Sequence, residues 1–329
     1  MALLFMEGFD RSDYTAKWNT SSGSVQTSAT RFGYGGYLSL GAAGGVTITK
    51  RVPAAANLIL GFAFNAFGGV TYDNMCYLYG DLGATRHLVL RVDVAGSLSL
   101  RLGNGTLLGT AAIPSTGWAY IEISATINST TGRVIVRVNG VVAIDYTGNT
   151  KSGGTNTTLD MIGFSGGYSG HGLDDLYVCD TTGTTNNAFL GDVRVQMLLP
   201  TGAGSSTQLT PTGSVNNYAN VSEVPDNTAT YNSGSTVGNR DTYVMTDLSA
   251  ATGPIYGMQN SIVAWKTDAG IGAMKTAMKV GAGVYYDTTI SLGTSASAYL
   301  SPIRETNPAT SAAWTLADIN SAELGAEVA

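Results

Sequence analysis

Four carboxylates are the residues of this sequence best suited to chemistry: the adjacent Asp174 and Asp175, and the isolated Glu122 and Asp93. Paired carboxyls can cleave a glycosidic bond, one acting as acid and the other as nucleophile or base. On a sandwich strand that calls for a run such as Glu-x-Asp-x-x-Glu, and none occurs. Glu122 and Asp93 stand on separate segments, with no acidic residue two or four positions away, so both read as solvent-facing strand charges. Neighbouring side chains on a strand point to opposite faces, so one of Asp174 and Asp175 should face inward and accept loop N–H groups. A calcium ion needs about six to eight oxygens. Asp174 could contribute to such a set with Asp73, Asn74 or Asp10 if the loops converge, although no EF-hand loop is present.

Other chemistry finds less support. The two histidines are His87, beside Arg86 at the start of a strand, and His171, between Gly170 and Gly172. Both read as surface or loop residues, and neither accompanies a G-x-S-x-G elbow. Neither lies at zinc-ligand spacing from Cys76 or Cys179. The cysteines read as buried thiols, with a Cys76–Cys179 bridge as the alternative. Glycine alternates with tyrosine in Phe32–Tyr37 and Ser165–Gly170. Neither stretch leads from a strand into a helix, so neither cradles phosphate. Tyrosine in glycine-rich loops suits sugar stacking or protein contact, which makes Tyr34, Tyr37 and Tyr168 the sugar-binding candidates. The sequence points to no catalytic residue and no cofactor.

The elements that must position these residues are strands. Glycine is abundant (43 of 329 residues), 43% of residues are hydrophobic and only 12% are charged. That composition belongs to an all-β protein with many tight turns, and it is too apolar for disorder. A net charge of −6 without a basic cluster argues against nucleic-acid binding. The apolar runs, such as Leu58–Phe64, are strand-sized, so no membrane insertion is expected. Met1–Glu7 has no basic n-region and is not read as a secretory signal.

Period-two alternation predicts strands at Leu88–Val94, Leu98–Leu102, Trp118–Ile127, Arg133–Val138 and Val141–Tyr146. Asn139-Gly140 is the strongest hairpin signal, because both residues tolerate the positive φ of a type I′ turn. Further strands are expected at Leu3–Phe9, Tyr37–Leu40, Val46–Arg51, Leu58–Phe64, Met75–Asp81 and Gly172–Val178. The polar stretch Thr181–Asn187 suggests a boundary, giving domains 1–183 and 184–329.

The second part is expected to open with a strand at Val193–Leu199, stopped by Pro200. A polar arm, 201–241, carries too few apolar residues to bury a face of its own, so it is expected to order against a partner surface. Strands should resume at Thr242–Thr246, Ser261–Lys266, Ala273–Val280, Gly283–Tyr286 and Ala298–Ile303. Thr315 should cap a short helix over Thr315–Asn320, with Asp318 completing the cap and Glu323–Val328 returning as a strand.

Residues 1–180 resemble the concanavalin A-like, laminin-G-type jelly roll. The resemblance rests on Glu7-Gly8-Phe9-Asp10, Trp118–Glu122, the Asn139-Gly140 hairpin and Gly172-Leu173-Asp174-Asp175-Leu176-Tyr177-Val178. It implies a jelly-roll sandwich followed by a smaller β-sandwich-like C-terminal domain. A second resemblance joins Phe189-Leu190-Gly191-Asp192-Val193-Arg194-Val195, Pro200, Asp241-Thr242-Tyr243 and Ala313-Trp314-Thr315. These look like the C-terminal module of tailed-bacteriophage virion proteins, although Leu209 stands where an aromatic is expected. This resemblance implies a non-enzymatic structural protein of the tail, fibre or head, assembled in the host cytoplasm. Its partners would be other virion proteins and copies of itself. The alternative is a receptor-recognising module that binds a host surface glycan, and a glycoside hydrolase ranks below both.

Overall fold

A computed structural model describes residues 2–10, 14–28, 30–33, 35–40, 47–66, 73–94, 96–166, 171–248 and 253–329. The chain divides into two compact units, 1–196 and 197–329. The fold is all-β, as composition and alternation lead one to expect.

The first unit begins with β1 (Leu3–Glu7), β2 (Ser24–Gln26), β3 (Tyr37–Ser39), β4 (Thr47–Ala55), β5 (Asn57–Ala66) and β6 (Asp73–Gly80). It continues with β7 (Thr85–Val94), β8 (Ser97–Leu102), β9 (Leu107–Ala112) and β10 (Trp118–Thr126). The last strands are β11 (Gly132–Val138), β12 (Val141–Gly148), β13 (Leu159–Ser165) and β14 (His171–Asp180). One sheet has the order β12-β11-β10-β5-β14-β3-β2, with β1 also paired to β14; the other runs β4-β13-β6-β7-β8-β9. Both sheets contribute to one core. It holds Leu60, Phe62, Ile121, Ile123 and Val178 from the first sheet and Leu88, Leu90, Leu100, Ile162 and Phe164 from the second. This is the jelly-roll-type sandwich that the resemblance implies, built from the strands that alternation marks.

Local chemistry explains the better-read elements. Asn139 (φ 50°) and Gly140 (φ 79°) turn β11 into β12, as the hairpin signal requires. Three described strands of the first unit escaped the alternation: β2, β9 and β13. In β13, Leu159, Ile162 and Phe164 enter the core. A register shift between Leu159 and Met161 breaks the two-residue period there.

The second unit contains β15 (Pro200–Thr207), β16 (Thr210–Thr212), β17 (Tyr231–Ser233), β18 (Arg240–Met245) and β19 (Ser261–Ala264). After these come β20 (Ala273–Val280), β21 (Gly283–Tyr286), β22 (Ile290–Ser291), β23 (Ser297–Leu300), α1 (Leu316–Ser321) and β24 (Glu323–Val328). Its main sheet has the order β15-β18-β24-β20-β21, with β22 also on β20; β16-β17 and β19-β23 form two small ribbons. Met278, Val280, Trp314, Ile319 and Leu324 form its core. The Thr315–Asp318 capping box forms as expected and starts α1. β24 is a central strand. A side chain at Gly325 would strike the Asp241 backbone on β18, so only glycine allows that close approach.

Two expectations for this region are corrected. Residues 193–199 are not a strand, because Arg31 and Asp175 bind the backbone of 193–195 through side chains. The strand starts at Pro200, whose missing N–H costs nothing at a strand's first residue. The polar arm also needs no partner surface, because it is hydrogen-bonded inside its own unit. β15 pairs with β18, and the fully buried Asp241 gathers the rest. Its Oδ1 accepts from the N–H groups of Gln208 (2.7 Å) and Leu209 (2.9 Å). Its Oδ2 accepts from Asn217 Nδ2 (2.6 Å) and the Tyr243 hydroxyl (3.0 Å). Polar groups thus replace the apolar face that the arm lacks.

Backbone amides of 208–220 should therefore exchange slowly with solvent in the free protein. Asp241→Ala should strip that protection and cost roughly 2–4 kcal/mol by leaving buried donors unpaired. Hydrogen-exchange mass spectrometry with urea titration checks both. Fast exchange in the unaltered chain would contradict the network.

Candidate functional site

The acidic pair is built on a break in the strand pattern. Leu173 and Leu176 both enter the core although they are three positions apart. The extra residue is accommodated by a bulge between Asp174 and Tyr177 in the pairing with β5, with Asp175 at φ 48°. A regular strand would have sent one aspartate inward and one outward. The bulge leaves both buried and outside the apolar core cluster.

Around them the chain builds a clamp. Arg31 Nη1 donates to Asp175 Oδ2 (2.8 Å) and to the Val193 carbonyl (3.1 Å), while Nη2 pairs with Asp192. Asp175 Oδ1 accepts the Val195 N–H at 2.8 Å, and Asp174 Oδ1 accepts the Asp175 N–H at 2.8 Å. The Arg31 guanidinium also lies 5.0 Å from the Tyr120 ring centroid. Tyr120 donates its hydroxyl to the Asp175 carbonyl at 3.0 Å.

Glu122 belongs to the same clamp. On β10, Tyr120 and Glu122 alternate with the core residues Ile121 and Ile123, so they occupy the sheet's other face. That face is covered by 188–195. Tyr177 donates its hydroxyl to Glu122 Oε1 (2.6 Å) and accepts the Leu190 N–H (3.1 Å). Gly191 N–H donates to the same Glu122 oxygen at 2.8 Å. Arg137 caps the Phe189 ring at 4.1 Å. Glu122 is therefore 1% exposed rather than solvent-facing, and its Oε2 finds no partner among the described residues. Asp93 is likewise engaged, by Arg91 Nε (2.6 Å) and Arg101 (3.7 Å).

Burial sets the protonation of the cluster. It pushes the Asp174 carboxyl far above its ordinary range, reinforced by the neighbouring Asp175. Burial also raises Asp175, but the Val195 N–H and Arg31 favour its charge and hold the rise back. Near neutral pH the pair therefore retains one proton, with the charge on the carboxylate facing Arg31. Burial also drives the Tyr120 and Tyr177 hydroxyls upward, so both stay protonated donors.

The other sequence candidates do not join this cluster. Tyr37 is buried, with its ring edge-on to Trp118 at 5.5 Å, so it offers no stacking platform. Tyr34, Tyr168 and the Asp73 side chain lie outside the described residues. Asn74 lies on β6 of the second sheet and Asp174 on β14 of the first. Among the described residues, no three His, Cys, Asp or Glu side chains are grouped to hold a metal. His87 and His171 are fully buried within β7 and β14, not on the surface. Cys76 and Cys179 are buried and unbridged.

Sequence reading missed Arg31, Tyr177 and the backbone of 188–195. Nothing local marks Arg31, which meets Asp175 across 144 residues of chain.

No protein-family model matches the sequence, and no curated protein matches it. Several solved structures resemble parts of the chain. One is the alginate lyase Aly36B, 13% identical over 55% of this chain and 93% of its own, with a TM-score of 0.33. Another is the potassium-bound carbohydrate recognition domain of Emp46p, 10% identical over 50% of this chain and 89% of its own, at 0.34. A third is the Ca2+/mannose-bound exoplasmic/lumenal domain of VIP36, 12% identical over 52% of this chain and 86% of its own, at 0.33.

The clamp carries a pH signature. A carboxyl whose value rises on folding stabilises the fold fully below its unfolded value and loses that contribution as pH climbs through the folded one. Unit 1 should therefore lose stability as pH rises toward about 9, where the Asp174 proton leaves. Asp174→Asn should flatten that slope. Urea midpoints measured across this range for both proteins test it, and identical slopes would rule it out.

Proposed function

We propose that the chain is a non-enzymatic structural protein of a tailed-bacteriophage virion, serving assembly contacts or surface display. One observation carries the reading. Glu122, the carboxylate best placed for sugar chemistry, is sealed by Tyr177 and by the chain's own residues 188–191. A general acid or nucleophile must reach substrate. This carboxylate instead anchors backbone. The stretches that resemble virion proteins do comparable work. Phe189–Val195 is the clamped segment, Asp241–Tyr243 holds the polar arm, and Trp314 is a core residue of the second unit.

A stiff, internally satisfied β scaffold suits a repeated assembly component. Its partners on this reading are other virion proteins and copies of itself. Sugar recognition is a second reading, and one observation favours it: an open polar hollow on the second sheet, lined in part by Tyr79, Arg86, Asn104 and Ser152.

Antibodies raised against the full chain should decorate purified phage particles at one defined location, and the chain should turn over no bacterial polysaccharide. Absence from purified particles would sink the virion reading. Turnover abolished by Glu122→Gln would sink the non-enzymatic one.

A further inference from the structure

The second sheet carries a feature that the clamp does not use. The end of β6, the start of β7, the β8–β9 turn and the loop after β12 border a shallow, largely open hollow. Tyr79, Thr85, Arg86, Asn104, Ser152 and Gly154 contribute to its wall.

Arg86, Asn104 and the Ser152 backbone are held in place. The exposed Arg86 guanidinium lies 5.3 Å from the Tyr77 ring centroid and donates to the Gly103 carbonyl at 3.3 Å. It has no carboxylate partner among the described residues. Asn104 Oδ1 accepts the Thr106 N–H at 3.0 Å, which leaves its NH2 group as a donor. Ser152 N–H donates to Nδ1 of the fully buried His87 at 3.3 Å. With Nδ1 accepting, the neutral imidazole carries its proton on Nε2.

Buried polar atoms behind the wall are left over. His87 Nε2, Asn156 Oδ1 and Asp81 Oδ2 have no hydrogen-bond partner among the described residues. Asp160 Oδ1 has none either, although its Oδ2 accepts the Leu82 N–H at 2.7 Å. Gly154 (φ 68°) fits because a side chain there would strike the Asp81 carboxylate and the Thr85 hydroxyl. The wall is thus thin at Gly154, with polar groups directly beneath it.

We propose that this hollow binds an acidic sugar residue, a pyranose ring bearing a carboxylate, with Arg86 taking the carboxylate and Thr85, Asn104 and Ser152 taking ring hydroxyls. The guanidinium fork matches a planar carboxylate with two parallel hydrogen bonds, and no described residue forms an ion pair with it. Hydroxyl and amide groups that both donate and accept suit vicinal hydroxyls. The half-buried Tyr79 ring offers an apolar surface to ring C–H groups. A neutral sugar would leave Arg86 without its counter-charge. A small inorganic anion would leave the hydroxyls and the ring unused.

This assignment rests on the sugar-recognition reading and is independent of the virion reading. The test is calorimetric titration of the full chain with D-glucuronate, D-glucose and acetate, repeated on Arg86→Lys and Asn104→Ala. Glucuronate should bind with a Kd of about 1 mM, and glucose and acetate should each be at least about tenfold weaker. Arg86→Lys should weaken glucuronate about tenfold and leave glucose unchanged, since a lysine cannot reproduce the fork. Asn104→Ala, in an exposed turn, should weaken glucuronate about threefold without disturbing the fold. Equal affinity for glucose overturns the acidic assignment while leaving sugar recognition standing. Equal affinity for acetate makes this a general carboxylate site and overturns the sugar. Glucuronate binding unaffected by both substitutions puts the sugar elsewhere and overturns the site. No binding of either sugar overturns the proposal and the reading beneath it, while particle labelling still decides the virion role.

Discussion

The clamp depends on where the negative charge of Asp175 goes. Stripping a carboxylate of water costs several kcal/mol even after relaxation, and a bulge at φ 48° adds backbone strain. Both costs are offset by contacts only the folded chain can supply. Arg31 comes from before β3 and the Val195 N–H from beyond β14. A hydrogen bond to a charged group contributes about 1.5–3 kcal/mol, so two of them together rival the desolvation cost. The charge is tolerated because 188–195 lies across the sheet, and that segment stays there because the charge is beneath it. Neither arrangement is stable without the other.

The second unit uses the same device with a different result. Among the described residues no arginine binds Asp241. It gathers two backbone N–H groups, an asparagine amide and a tyrosine hydroxyl. Asn217 and Asn232 extend the network, Asn232 donating to the Asn217 carbonyl (2.8 Å) and to the Tyr243 hydroxyl (2.9 Å). A segment with hardly any apolar side chains is ordered by donors converging on one carboxylate. Glu323 works similarly beside Ser205 on β15. Burial opposes its charge, yet Lys279, the Ser205 N–H and the Thr242 hydroxyl hold its carboxyl down to about 2. In a chain with 12% charged residues, a few carboxylates fix long stretches of backbone.

Much of the fold is legible in the sequence because strand alternation is a local property. Trp118–Thr126, the Asn139-Gly140 turn and the Thr315–Asp318 cap each record their structure within a few neighbouring residues. The bulge at Asp174-Asp175 is half legible. The three-residue spacing of Leu173 and Leu176 signals an extra residue, but only to a reader who already knows that both face the core. The clamp and the Asp241 network are not legible, because their partners are far apart in sequence and several are backbone N–H groups, which every residue except proline carries. That is also why the polar arm reads as needing outside help. Counting apolar side chains measures one way of ordering a chain and overlooks a carboxylate with four donors. The hollow at Arg86 is harder still to read, since its wall comes from four separate stretches and is defined by space.

These arrangements divide the labour between the two sheets of the first unit. The outer face of the first sheet, where Tyr120, Glu122 and Tyr177 stand, is spent on holding residues 188–195. Its aromatic and acidic groups are the kinds that recognise sugars, yet they are sealed under the chain itself. Removing 188–195 would expose a buried carboxylate without its donors, so this face cannot open to a ligand without losing what stabilises it. The second sheet is under no such constraint. At its Arg86 end, a cation and an amide with spare donors face an open space, and among the described residues the cation has no carboxylate partner and buried polar atoms behind it are unmatched. A protein satisfies its interior before its surface. Where satisfaction stops, at a rigid edge with charge and donors in excess, the first unit has binding capacity left to offer another molecule.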